Sequence, residues 1–261
     1  MIIISCVVYN TYIEDTLLFK YYNKLSNNFR VIFLDNSNDE DIIKHNKSVA
    51  LENDTLKYHS LGDNVGLPKA YNYVIKNEIF DAILILDQDT EIEFDFFNFI
   101  SNINLDEEIV AYPKMYCNSN LVSPRKLKSN VFFNNKKGVD MPINSCSLIS
   151  RKVFDKVGLF NEEMFLDMVD YEFFRRCHDN EIKFQLIDFT IEQHLSGFEE
   201  TNKEKALKRF KNYLCEFKVF SNYTFKTRIW YYIFSFYLRC KNTIRYRYIK
   251  FLFCKKESIK K

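Results

Sequence analysis

Glycine and proline are scarce in this chain, with five and four among 261 residues. That excludes collagen-like and linker-like sequence and leaves little glycine for the phosphate loops common in nucleotide-binding proteins. Neither GxxxxGK[ST] nor GxGxxG occurs, so a P-loop kinase and a Rossmann dehydrogenase are both disfavoured. The seven cysteines form no CxxC pair. Neither a zinc knuckle nor a disulfide framework is indicated, and reduced cytoplasmic thiols are expected. The apolar run Met1 to Tyr9 lacks a basic n-region and a small-residue cleavage site, and it reads as a buried strand rather than a signal peptide. The longest apolar stretch, Ile229 to Leu238, has ten residues, too few to cross a bilayer.

What is present is a core's worth of apolar sequence. Hydrophobic residues make up 47% of the chain and aromatic residues 17%, enough for one large domain or for one domain with an appendage. The net charge of +2 hides a division. Residues 203–261 hold 17 of the 37 Lys+Arg and three acids (Glu204, Glu216, Glu257), a balance of +14 that leaves −12 for residues 1–202. The expectation is an acidic body over 1–202 with a basic extension over 203–261.

Short apolar runs at Ile2–Tyr9, Val31–Leu34, Leu56–Leu61, Ala82–Leu86 and Ile109–Tyr112 read as strands. Helical segments at Ile13–Leu25, Leu67–Asn77 and Phe94–Ile103 alternate with them. That alternation predicts an α/β fold with a mostly parallel sheet. Polar clusters follow the first, second and fourth strands: Tyr9-Asn10, Asp35-Asn36-Ser37 and Asp87-Gln88-Asp89. Ligands of open α/β sheets sit at those strand ends, although each cluster alone is an ordinary turn.

Asp87 and Asp89 place two hard carboxylates in one turn, a pattern suited to Mg²⁺ or Mn²⁺ with diphosphate and water completing the coordination. The segment Gly62 to Ala70, with Asn72 beyond it, is a turn entering a helix, where backbone amides could meet an anion or Gly66 could simply supply a positive φ. Phe160 to Arg176 is an acidic turn followed by an amphipathic helix.

In order and spacing these segments resemble the family 2 glycosyltransferases of the GT-A fold. The match runs through Val7-Val8-Tyr9-Asn10, Asp35-Asn36-Ser37, Asn64-Val65-Gly66 to Asn72, Asp87-Gln88-Asp89, Ser145 to Ile149, Phe165 to Arg176 and His194-Leu-Ser-Gly197, covering about residues 1–200. The Asp-Gln-Asp form, the Val-Asp-Tyr-Glu form and the HxxG segment are most similar to bacterial rhamnosyltransferases of O-antigen or capsule synthesis. The resemblance implies inverting, metal-dependent transfer from a nucleotide sugar, most specifically dTDP-rhamnose, to a hydroxyl of a lipid-linked or cell-surface glycan. The same fold with a UDP-hexose donor is the alternative. A non-catalytic nucleotide-sugar or membrane-binding module is the rival from another class.

The resemblance also implies roles. Asp170 matches the base, although Val169 stands where similar enzymes carry Glu, and Asp167 is the alternate on the same face if the helix has begun by then. Asp89 matches a direct metal ligand, and Asp87 lies nearer the ribose or a bound water. His194 matches a third metal ligand or a diphosphate contact. Asp35 would accept the N3–H of uracil or thymine, Tyr9 would stack on that base, Lys69 would meet phosphate, and Gly66 belongs to the donor loop.

In the extension, Leu207, Phe210, Leu214 and Phe217 recur at helical spacing, and 16 aromatic residues are interleaved with cations. Such a segment suits the inner face of a bacterial plasma membrane, with the protein cytoplasmic and peripherally attached. Packing against the catalytic body or a second subunit competes with that reading, and nucleic acid is not the expected partner.

Overall fold

The computed structural model describes residues 1–53, 55–127, 131–133, 138–192 and 202–254. Its strands are β1 (Ile2–Val8), β2 (Phe29–Asp35), β3 (Leu56–Ser60), β4 (Ala82–Asp87), β5 (Ile109–Cys117), β6 (Asn120–Ser123), β7 (Arg125–Lys126), β8 (Asp140–Met141), β9 (Leu148–Ser150) and β10 (Lys183–Glu192). Its helices are α1 (Leu17–Tyr21), α2 (Glu40–Leu51), α3 (Leu67–Asn77), α4 (Asp95–Ser101), α5 (Arg151–Val157), α6 (Val169–Asp179), α7 (Lys203–Ser221), α8 (Phe225–Tyr246) and α9 (Lys250–Phe253).

One sheet runs β10-β5-β9-β4-β1-β2-β3, with β6 paired to β5. β1 pairs in parallel with both β2 and β4, whereas β9 lies antiparallel between β4 and β5. The chain therefore leaves β1 toward opposite sides of the sheet, and the crevice at the carboxyl ends of β1, β2 and β4 is a topological switch point.

β1 and β4 read as unbroken apolar runs because both of their faces are covered. Ile3, Val7, Ile83 and Ile85 point into one core layer, while Ile2, Ile4, Cys6, Val8, Leu84 and Leu86 point into the other, at the period of two that a strand imposes.

The expected helix at 13–25 is broken. Two short 3-10 turns flank the five-residue α1, because Thr16 caps α1: its Oγ1 donates to Ile13 O (2.7 Å) and accepts from Phe19 N (3.2 Å).

Residues 203–221 do not stand apart from the body. Phe217, Phe220 and Tyr231 belong to the same buried cluster as Ile3, Tyr71 and Phe173. Phe132 packs on Phe217, Phe220 and Phe234 with ring centroids 5.4–5.8 Å apart. Arg175 of α6 donates to Phe220 O (2.9 Å) and lies over the Phe220 ring. The packing alternative therefore describes α7.

Candidate functional site

Asp87 ends β4, and the turn after it is held from three sides. Thr90 Oγ1 accepts from Asp87 N (3.2 Å) and bonds Ser145 Oγ (3.0 Å). Gln88, the middle residue of the acidic motif, accepts the Tyr9 amide at the end of β1 (2.7 Å). Cys146, at φ 59, bonds Ile85 O through its amide (2.8 Å) and so sets the Ser-Cys-Ser segment beneath the turn. Asp87 is half-buried and Asp89 exposed. Burial, with the charges of Asp87 and Asp89 adding to it, drives the Cys6 thiol far up, so Cys6 is an inert floor.

Asp170 stands on the first turn of α6, and one of its carboxylate oxygens accepts the Tyr171 amide (2.7 Å). Burial above all, with Asp167 adding, raises it to about 7, against the pull of backbone amides and Arg125. That value suits a group that must take a proton near neutrality.

Tyr71 lies in the field of both acids. This tyrosine of α3 is 0% exposed, and its hydroxyl has no hydrogen-bond partner among the described residues. Burial, then Asp87, then Asp170 push its phenol up. Charges from the end of β4 and the start of α6 thus both reach this phenol, and its unpartnered hydroxyl is the kind of buried group that an ordered water satisfies.

Asp167 lies before α6, which starts at Val169, so it does not share the helical face expected of it. It is tied to Arg209 of α7, whose Nη2 and Nε reach Asp167 Oδ1 at 2.8 and 3.2 Å. The loop around it is gripped by Glu216. This fully buried carboxylate accepts the amides of Leu166, Asp167 and Met168 at 3.0–3.1 Å. Burial raises Glu216 while those amides lower it. In the sequence Glu216 is one of three acids among the cations of residues 203–261, and its place among apolar helical positions beside Leu214 and Phe217 is the signal that sets it apart.

Other expected residues carry structural tasks. Asp35 is 0% exposed; it accepts from Ser37 N (2.9 Å), Asn46 Nδ2 (2.8 Å) and the Tyr58 hydroxyl (2.7 Å), which braces the end of β2 against α2 and β3. The anion cradle expected after Gly62 is not formed by Val65, Gly66 and Leu67, because their amides bond Asn36 Oδ1 (2.8 Å), Asn64 Oδ1 (3.2 Å) and Phe165 O (2.9 Å). Gly66, at φ +86, is required for close approach: a Cβ there would lie 2.7 Å from Phe165 Cδ2. Asn72 joins α3 to the Phe160 backbone by two bonds of 2.9 and 3.0 Å. Glu172 is engaged by Arg176 (2.8 and 2.9 Å).

Tyr9 is exposed at the mouth, and Lys69 is exposed on the first turn of α3. Arg125 of β7, unforeseen in the sequence, donates to the Tyr171 hydroxyl (3.3 Å) beside Asp170. His194 lies outside the described residues; β10 ends at Glu192, whose backbone bridges Glu91. Among the described residues no group of three or more His, Cys, Asp or Glu gathers to hold a metal.

The sequence matches no protein-family model and no curated protein. Solved structures do match in fold. Staphylococcus aureus TarS 1–349 is 16% identical with a TM-score of 0.55, over 83% of this chain and 65% of that one. GalNAc-T7 with UDP, GalNAc and Mn²⁺ is 13% identical with a TM-score of 0.60, over 98% and 55%. The mannosyltransferase PcManGT of Pyrobaculum calidifontis with GDP-Man and Mn²⁺ is 11% identical with a TM-score of 0.58, over 94% and 72%. This chain spans less than two thirds of the first two. The fold is that of the GT-A glycosyltransferases.

Proposed function

We propose that this chain is an inverting glycosyltransferase that moves a sugar from a nucleoside-diphosphate donor to a glycan hydroxyl. The observation that carries the reading is the acidic turn of Asp87 and Asp89 at the end of β4, at the switch point of a sheet of GT-A topology, with Asp170 opening α6. Fold likeness alone would not suffice, since one fold hosts many chemistries.

Asp170 takes the proton of the acceptor hydroxyl as the new bond forms, and its environment keeps it a competent base near neutral pH. Asp89, with Asp87 behind it, would hold Mg²⁺ or Mn²⁺. The donor set fits: two carboxylates on one turn are hard oxygen ligands that leave most coordination positions to phosphate and water. Such an ion would neutralise the charge of the departing diphosphate, and Mn²⁺ accompanies the nucleotide ligands of GalNAc-T7 and PcManGT. His194 is the proposed third ligand. Tyr9 is the proposed stacking partner of the base, over a wall braced by Asp35, with Gly66 holding that wall to the Phe165 loop and Lys69 near the phosphates. The donor we favour is dTDP-rhamnose, ahead of a UDP-hexose, and the acceptor a glycan carried on lipid.

The deciding experiment measures thermal stabilisation and nucleoside-diphosphate release with dTDP-rhamnose, UDP-galactose, UDP-glucose and UDP-GlcNAc, each with and without Mn²⁺ or Mg²⁺. Metal-dependent stabilisation and turnover with one donor supports the reading. Absence of both with every donor and a range of glycan acceptors overturns it.

A further inference from the structure

α8 packs on the body through a narrow stripe, and the rest of it faces outward. Thr227, Tyr231 and Ser235, one helical turn apart, are its buried residues. At 100° per residue, Phe225, Ile229, Tyr232, Ile233, Phe236, Tyr237 and Ile244 fall on one arc on the other side of the helix. All seven are exposed, from 49% for Ile229 to 78% for Ile244. A helix facing water carries polar residues there, whereas this one carries aromatic and β-branched side chains. At α9, the N-cap Ile249 and the last helical residue Phe253 are exposed as well, at 58% and 74%.

The charges around this face select its occupant. Lys241 flanks the arc on one side and Arg228 on the other, and Lys226 stands within it at the first turn, all exposed. No Asp or Glu occurs anywhere from Phe217 to Lys256. A second copy docked face to face would bring like charges together with no acid to meet them. A protein core would leave the cations buried and unpaired. An anionic lipid surface meets both demands, because the acyl boundary takes the aromatic arc while the headgroups take the flanking Lys and Arg. No described helix is long and apolar enough to cross a membrane, so α8 would lie in the interface plane.

We propose that the outer face of α8 docks this protein on a negatively charged bilayer. The inference names the surface where the proposed lipid-carried acceptor would be met, and to that extent it rests on the glycosyltransferase reading. Lipid binding itself is measured without donor or acceptor, so either proposal can fail while the other stands.

The chain's one tryptophan, Trp230, is on α8 and 38% exposed, and so serves as the reporter. The full chain is titrated with vesicles of phosphatidylcholine alone and of phosphatidylcholine with phosphatidylglycerol, followed by Trp230 emission and by flotation. The expected result is a blue shift and flotation with the anionic vesicles only, weakened by salt. Lys226→Glu with Lys241→Glu should lower affinity at least ~5-fold per site, since each cation near such a surface contributes about that factor. Phe236→Asp should abolish binding while its thermal melt matches the parent, as the residue touches solvent. Equal binding to both vesicle types, binding unaffected by Phe236→Asp, or no binding to either overturns the proposal. So does a Trp230 shift that follows protein concentration without lipid, which marks self-association, or one that follows a single-stranded oligonucleotide with a steep salt slope.

Discussion

Arg209 of α7 clamps Asp167 through two guanidinium nitrogens, at 2.8 and 3.2 Å, and the clamp separates two acids that lie three residues apart. Asp167 is held as a charged partner in an ion pair, whereas Asp170 keeps a raised affinity for a proton. Asp170→Asn should therefore lower kcat by about 10²- to 10⁴-fold, the usual worth of a general base, with donor affinity nearly unchanged. Asp167→Asn should stay within several-fold of the parent. Steady-state kinetics on the two variants checks the assignment, and the reverse ranking would refute it.

The pH dependence follows from the same group. Asp170 is raised from the usual 3.8 to about 7, so the base form of the free enzyme grows in as pH rises through 7. The profile of kcat/KM should climb to a plateau above that pH. Stability should run the other way. The protonated carboxyl is favoured in the folded state, so its stabilising contribution is complete below pH 3.8 and is lost as pH rises through 7. At pH 8, Asp170→Asn should melt at a higher temperature than the parent while turning over far more slowly; a lower melting temperature would contradict the raised proton affinity of Asp170.

Metal dependence should reside in Asp89. In Asp89→Ala, calorimetric titration with UDP or dTDP should show an affinity indifferent to Mn²⁺, while the parent binds more tightly with the ion and loses that gain with a chelator. Parent and variant responding alike to Mn²⁺ would move the ion elsewhere.

Gly66→Ala should destabilise the protein by roughly 1–3 kcal/mol, the cost of a non-glycine residue held in such a backbone region. The new Cβ would also press on Phe165 Cδ2 at 2.7 Å and on its carbonyl oxygen at 3.0 Å. Denaturant unfolding gives the loss of stability. Turnover should fall too, since Phe165 opens the loop that leads to Asp170.

Glu216→Ala strips the acceptor from three loop amides. A drop of about 2–5 kcal/mol in unfolding free energy is expected, because unpaired buried donors cost about 1–3 kcal/mol each and the loop can rehydrate in part. Proteolysis confined to residues 165–168 would be the local sign of it. A variant as stable as the parent would show that those amides find other partners.

The sheet was legible because its strands are buried on both faces. β1 and β4 appear as apolar runs ending at polar turns, and α3 appears with both ends correct, Pro68 marking its first turn. The broken helix at 13–24 was not legible, since Thr16 fits a helical pattern until its hydroxyl is seen capping α1. Asp87 and Asp89 stand out in the sequence as two acids in one turn after an apolar strand, and the structure keeps Asp87 at the end of β4. Asp167 could not be told from Asp170 without knowing that α6 begins at Val169. Glu216 stands out by its place among apolar helical positions, but its partners could not be read: they lie 48–50 residues upstream, and periodicity cannot tell a helix covered by its own domain from one covered by lipid.

The grip of Glu216 on residues 166–168 also sets an order of events during synthesis. β1, β2 and β4 can pair as soon as they leave the ribosome, but the loop before Asp170, tied until then by the Leu67 amide to Phe165 O, lacks its carboxylate anchor until α7 emerges. For the time needed to add some fifty residues, a few seconds at elongation rates of about 20 residues per second, the turn of Asp87 and Asp89 would stand beside an Asp170 whose loop lacks that grip. The proposed activity would thus arrive late, just as the aromatic face of α8 begins to emerge behind it.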